Sequence, residues 1–394
     1  MTVYPLSLPR PALFALLPKT AVFAQLQALK DGLGASPLME KRQKFLEAVD
    51  LQGMGKYREA KKCLVEFLRD HPEDVGGNFM LGRTRFMLGE FNDAYHAYSV
   101  CIALKPRFAP GYYSRALLSH QQHDYKQALV DLDMALRVKP DLMEAHLVRS
   151  IVYYELGKCE EALKDIQRVI EDRRSPAPVR AWFIRALIHT RMGDKEKAAE
   201  DRRYAMKQKA TDAPSLIAQG NARLLAKDTR AALADYVAAE EMNPLAIEPI
   251  QNQASVEGEV FDRPARAVEI LDRLLKRHPD HIPSLCGRAV YLARAGRTDD
   301  ALREAKRILE LEDTPFTQYR VACVYALASA EKPALADEAL RLIAHALQNG
   351  EGHAHLEVDP DLATLRESPA FGPLLQYVKH LRSLQKPAKP RAGL

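Results

Sequence analysis

Prolines and alanines recur along this chain at a fixed step, and that step limits what the chain can fold into. Pro72, Pro106 and Pro140 stand 34 residues apart, and the step resumes at Pro244 and, one residue late, at Pro279. Twelve residues before each of these prolines stands an alanine: Ala60, Ala94, Ala128, Ala232 and Ala267. A period of this length marks a stack of similar supersecondary units, each covering the open apolar face of its neighbour. A chain of 394 residues would otherwise suggest two or three globular domains, but a stacked array needs no single central core.

Within each unit the punctuation is regular. Small residues fall at positions 8 and 20, a turn glycine near 15, an aromatic near 17 and proline at 32. Unit 41–74 carries Ala48, Gly55, Tyr57, Ala60 and Pro72, and unit 75–108 carries Gly82, Gly89, Phe91, Ala94 and Pro106. Units 109–142 and 143–176 follow, with Ala116, Tyr125, Ala128 and Pro140, then Ser150, Gly157 and Ala162. After two extra residues come 179–212 (Ala186, Gly193, Ala198) and 213–246 (Gly220, Ala232, Pro244). The unit ending near Pro279 is one residue longer and weaker in its first helix, and 282–315 gives Ala289, Gly296 and Ala301. Small residues at 8 and 20 let two antiparallel helices approach. Glycine near 15 ends the first helix in the left-handed conformation. Proline at 32 stops the second, because it lacks a backbone donor.

This pattern resembles the tetratricopeptide repeat over about two-thirds of the chain. The resemblance implies an all-α fold: a right-handed superhelix of about eight to nine helix-turn-helix repeats with a C-terminal capping helix. The expected organisation is an N-terminal extension over 1–38, with a short helix over Thr20–Lys30; the solenoid over 39–313; a degenerate last repeat and helical cap over 314–384; and a disordered basic tail over 385–394. In the cap region, Asp359–Arg366 reads as a short helix. Ser368-Pro369 reads as the start of a longer one, with serine as N-cap and proline at the first helical position.

Composition excludes little. Lys and Arg number 57 against 52 Asp and Glu, a mixed population too balanced to argue for nucleic acid. Five cysteines are scattered without paired spacing, which points to a reducing, cytoplasmic compartment. No apolar run approaches a membrane span, and the N-terminus lacks the anatomy of a signal peptide.

One pair of positions varies together. Position 7 holds Arg115, Arg149, Arg185 and Arg288, and position 23 of the same units holds Asp131, Asp165, Asp201 and Glu304. Units with Glu47 or Leu81 at position 7 lack the acid at 23, where Cys63 and Ala97 stand, and Gln219 with Asp235 is a partial exception. In a hairpin turning near position 15 these positions face each other. A structural Arg–carboxylate bond is the favoured reading, within repeats or between neighbours, and a ladder of arginines for an acidic ligand is the alternative.

For function, the concave columns of such an array are positions 2, 5, 9, 12 and 13 of the first helices. The candidate partner-binding residues are Phe79, Arg83, Phe86, Tyr113, Leu117, His120, Leu147, Ile151, Tyr154, Phe183, Leu187 and Arg191. An apolar, partly aromatic stripe there could seat a peptide or a partner helix, or could be packing between adjacent first helices. The two-carboxylate clamp of chaperone-tail adaptors is absent: Asn221 stands at position 9 with Ile217 at 5, and Met80, Ser114, Val148 and Ile184 occupy position 6. The string His353, His355, Glu357, Asp359 suggests a metal only weakly, being on a glycine-flanked loop. Gly53-Met54-Gly55-Lys56 lacks the spacing of a phosphate loop, and no hydrolase or kinase motif is present. No catalytic residue, cofactor or metal is expected. Nor is nucleic acid, because the columns where related arrays read bases are mostly apolar here.

Three stretches narrow the resemblance: Cys101-Ile102-Ala103-Leu104-Lys105-Pro106, Val321–Leu327, and Asp359-Pro360-Asp361-Leu362-Ala363-Thr364-Leu365-Arg366 leading to Phe371. They are similar to the repeat regions that follow the catalytic domain of bacterial serine/threonine protein kinases, and to stand-alone relatives. This chain has no kinase domain, so the resemblance implies an interaction scaffold with a protein or peptide partner or, alternatively, a regulatory or substrate-docking segment of a kinase system.

Overall fold

The computed structural model describes residues 37–385, with side chains from 43 to 381; the segments read from sequence as the Thr20–Lys30 helix and the basic tail after 385 lie outside them. Every regular element among the described residues is helical. Helices α1 (Pro37–Gly53) and α2 (Tyr57–Asp70), α3 (Val75–Met87) and α4 (Phe91–Leu104), α5 (Ala109–Gln121) and α6 (Tyr125–Val138) form the first three hairpins. Helices α7 (Met143–Glu155) and α8 (Cys159–Ile170), α9 (Val179–Arg191) and α10 (Lys195–Lys207), α11 (Ala213–Leu225) and α12 (Thr229–Met242) form the next three. Beyond them come α13 (Glu248–Ser255) with α14 (Pro264–Arg277), α15 (Ile282–Arg294) with α16 (Thr298–Leu311), and α17 (Pro315–Ala328) with α18 (Leu335–Gln348). A short 3₁₀ helix (Pro360–Leu365) and α19 (Phe371–Gln385) complete the chain. The described part divides into two compact units between Ala246 and Ile247.

The punctuation acts as its chemistry requires. Helices α2, α4, α6, α12 and α14 each end two residues before their proline, because the proline would leave the helix without a donor. Position 15 is left-handed whatever residue stands there: Gly55, Gly89, Gly157, Gly193 and Gly296 at φ between 73° and 87°, and in the three units without glycine His123 (φ 62°), Lys227 (φ 64°) and Asp262 (φ 52°). The close approach at position 8 has a partner that sequence reading passed over. A Cβ on Gly82 would lie 2.7 Å from the Tyr98 ring, and one on Gly220 would lie 2.6 Å from the Tyr236 ring. Both tyrosines are at position 24 and fully buried. Where position 8 is Ala48, Ala116 or Ser150, position 24 is the slimmer Leu64, Leu132 or Ile166.

The long seventh unit is explained by one turn. After α13 the chain continues as a π-helix over Val256–Val260. A single extra residue inserted into an α-helix is accommodated as a π-bulge, so the hairpin keeps its partners while the sequence period slips by one.

In the unit 247–385, one apolar core runs from Ile250 to Val378 and includes Leu356, Leu362, Leu365 and Phe371 beyond the last hairpin. The short helix expected after Asp359 is present and is 3₁₀, with the Asp359 carboxylate accepting from the Asp361 amide at 3.1 Å. One helix expectation for this region needs correction. Ser368 and Pro369 do not open a helix: they lie in a turn closed by the Phe371 amide donating to the Ser368 carbonyl at 3.0 Å, and α19 starts at Phe371. Burial of the Phe371 ring sets that register more strongly than the local capping signal.

Candidate functional site

The concave columns divide into sealed and open stretches. Phe79, Phe86, Tyr113, Leu117, His120, Leu147 and Ile151 are buried, with the Phe79 ring against Tyr98 and Phe108, Phe86 against Phe91 and His120 against Tyr125. Arg83, Tyr154, Phe183 and Leu187 are half-buried and Arg191 is exposed. The accessible side chains of these columns are therefore concentrated in repeats four to six. There the Arg191 guanidinium lies over the Tyr154 ring at 4.9 Å, and Leu225, at position 13, is 74% exposed. Leu225 was missed because the sequence comparison followed positions 5, 9 and 12, leaving most of column 13 unread.

The covarying arginines belong to the framework. Arg115 grips Asp131 in a bidentate pair at 2.9 and 2.7 Å, Arg149 grips Asp165 at 2.6 and 2.8 Å, and Arg185 grips Asp201 at 2.9 and 2.5 Å. Arg288 pairs with Glu304 in the same way. The remaining guanidinium nitrogen reaches back to position 25 of the preceding repeat: Arg115 to Ser99 at 2.9 Å and Arg149 to Asp133 at 2.7 Å. Arg288 makes the corresponding reach to Asp272 at 2.6 Å. Arg115, Arg149 and Arg288 thus each tie a hairpin internally and to its neighbour, through the planar fork that lysine lacks, while Arg185 grips Asp201 within its own hairpin. Burial acts against the charge on Asp165, but Arg149 and His146 outweigh it and hold the carboxyl below the usual range. In the exceptional unit Gln219 instead caps the preceding helix, donating to the carbonyls of Ala205 and Gln208 at 2.9 and 2.8 Å, while Asp235 pairs with Arg223.

In the second unit the same columns are occupied. Setting Ala322 at position 8, as Ala289 is in the hairpin before, places Tyr319 at 5, Cys323 at 9 and Ala326 at 12. The segment 359–366 lies on these positions. Tyr319 donates its hydroxyl to Asp359 at 3.1 Å, the Cys323 thiol faces the same carboxylate at 3.7 Å, and Thr364 donates to the Ala326 carbonyl at 2.7 Å. Arg294, at position 13 of the eighth hairpin, holds Asp361 in a bidentate pair at 2.7 and 3.0 Å. Leu362 and Leu365 are fully buried beneath.

Cys323, Asp359 and Asp361 place ligand atoms within 4.8 Å of one another, the one such group among the described residues. Their chemistry is that of an ion-pair network. Burial, and then Asp359, push the Cys323 thiol well above its ordinary value. Arg294 and Arg320 supply cationic charge beside the carboxylates. The His353–Asp359 string does not assemble: the His353 Nε2 bonds to the Leu347 carbonyl at 2.7 Å, and of the four residues Asp359 alone joins this group.

Comparison with known proteins agrees with this geometry. The tetratricopeptide repeat model matches residues 45–111, 147–213 and 261–316. The structure of yeast Tom70 superposes with a TM-score of 0.55 at 16% identity, covering 77% of this chain and 68% of that one. A tetratricopeptide repeat protein from Parabacteroides merdae gives 0.43 at 16% identity, covering 60% and 93%. A DnaJ homolog subfamily C member 7 homolog of Schizosaccharomyces pombe is 32% identical over 103 residues, 25% of this chain, and the match spans 22% of that relative's length. In period, in hairpin geometry and in fold, this chain is built as a tetratricopeptide-type solenoid, and the repeat model matches just under half of its residues.

Proposed function

We propose that this chain is a non-enzymatic scaffold that holds a protein or peptide partner along the first-helix columns of its repeats. The observation that carries the reading is the segment 359–366, a short peptide lying on the columns at positions 5, 9 and 12 of the ninth hairpin. A surface built from these positions has the chemistry to hold a peptide backbone and its side chains. In the unit 37–246 the corresponding open surface is Tyr154, Phe183, Leu187, Arg191 and Leu225, an aromatic and aliphatic patch with one cation. Such patches carry binding through a few anchors. A link to a serine/threonine kinase system rests on the sequence resemblance of the stretches 101–106, 321–327 and 359–371.

The test is a quantitative pull-down comparing wild type with Tyr154→Ala/Leu187→Ala/Arg191→Ala. These side chains are chosen because they are not in the sealed part of the stripe, and circular dichroism checks that the variant keeps its helicity. Loss of the partners that wild type enriches is the expected result. Retention of all of them by the folded variant would sink the reading.

A further inference from the structure

The segment that crosses the ninth hairpin has the features of a ligand held in cis. It is six residues of 3₁₀ helix outside the hairpin pattern. A loop precedes it, with Gly350 and Gly352 at φ 89° and 84°, and the 366–370 turn follows it. A Cβ on Gly352 would lie 2.5 Å from the Tyr319 ring, so the approach loop also lies against the column. The recognition is side-chain specific and charge-complementary. One carboxylate takes a tyrosine hydroxyl, and a second, two residues on, takes an arginine fork. Two leucines, directly after and four residues after that second acid, fill the apolar floor.

We propose that the columns of the eighth and ninth hairpins form a receptor for an acidic peptide, occupied at rest by Asp359–Leu365 of the same chain. The occupant in trans is a partner segment with two carboxylates two residues apart and apolar residues one and four positions after the second. Charge fixes the sign of that partner, because Arg294 grips Asp361 and Arg320 interacts electrostatically with both carboxylates. Burial, with Asp359 adding to it, pushes the Asp361 carboxyl above its ordinary range even with Arg294 beside it, so the resting contact is held against a desolvation cost. The idea shares with the proposed function the premise that columns hold peptides, but it concerns only residues 247–385. Retention of partners by the Tyr154/Leu187/Arg191 variant would leave it standing.

The test uses the full chain and a fluorescent peptide of residues 358–371. Leu362→Ala/Leu365→Ala loosens the resting segment and leaves Arg294, Tyr319 and Cys323 in place. Anisotropy should show this variant binding the peptide at least about tenfold more tightly than wild type, since a cis occupant lowers apparent affinity by the fraction of open receptor. Adding Arg294→Ala, or using a peptide with Asp361→Asn, should cost about tenfold. Equal binding by wild type and the loosened chain, or indifference to both charge changes, would overturn the proposal. So would a loosened chain that dimerises on size exclusion by exchanging its own segment, because the occupant would then be a second copy. If circular dichroism shows that the loosened chain does not fold, native-state hydrogen exchange on wild type decides. Amides 361–365 should exchange through a local opening, well before those of α17, and exchange only with unfolding of the whole unit would overturn the inference.

Discussion

At the scale of single residues, the pairing of glycine at position 8 with tyrosine at position 24 is the sharpest constraint. Adding one methyl at Gly82 or Gly220 drives a Cβ into a ring that is itself fully buried and cannot swing away. Gly82→Ala and Gly220→Ala should each cost about 1–3 kcal/mol by urea unfolding. Gly82→Ala/Tyr98→Leu, which recreates the Ala–Leu pairing of the neighbouring unit, should recover much of the loss. The opposite effect is expected at Lys227, which holds φ 64° without being glycine. Lys227→Gly relieves a left-handed strain of roughly 1 kcal/mol and should raise the urea midpoint. The glycines themselves were legible in the sequence as punctuation. That a tyrosine replaces leucine only opposite a glycine was also there to be read, but only by comparing two columns at once.

At the scale of helices, the arginine forks decide how one hairpin is fixed to the next. Arg149 engages Asp165, which is buried, and Asp133 of the preceding repeat. Arg149→Ala leaves the buried Asp165 carboxylate with His146, 2.8 Å away, as its remaining side-chain partner and should cost about 1.5–3 kcal/mol, beyond the loss of an exposed pair. The pH dependence follows from the depressed Asp165 carboxyl. A carboxyl bound more weakly to its proton in the fold than in the unfolded chain, where the value is about 3.9, contributes stability above that pH. The contribution is lost as pH falls through the lower folded value. Denaturation curves of wild type and Arg149→Met should therefore lie far apart at pH 7 and converge below about pH 4. A gap that stays constant across this range would show that the pair is not the source. The covariation of positions 7 and 23 made this bond legible in advance, because matched change in two columns reports a contact. The reach to position 25 was not, since Ser99, Asp133 and Asp272 share no residue type, only the ability to accept.

At the scale of the whole molecule, stability in a repeat array is close to a sum of units and nearest-neighbour interfaces. Damage at Arg149 should therefore be local. In hydrogen exchange of Arg149→Ala, protection should fall most in α5 to α8 and least in α11 and α12, and a uniform loss across 37–246 would contradict nearest-neighbour coupling. The architecture was readable because a period survives substitution at any one position. The site was less so: Tyr154 and Tyr113 look equivalent as column aromatics, yet one is open and the other sealed, and that difference depends on how much each neighbouring helix covers. The occupied columns of the ninth hairpin were hidden for another reason, since Asp359–Arg366 is recognisable as a motif while its receptor, Arg294, lies 67 residues from Asp361. The π turn at Val256–Val260 has a last consequence, for the ruler itself. A 34-residue template laid rigidly along the chain falls out of phase at that turn, so residues before and after it share a column only once the ruler is advanced by one. The molecule tolerates the miscount because the helix absorbs it in place, whereas an alignment that does not would assign every later side chain to its neighbour's role.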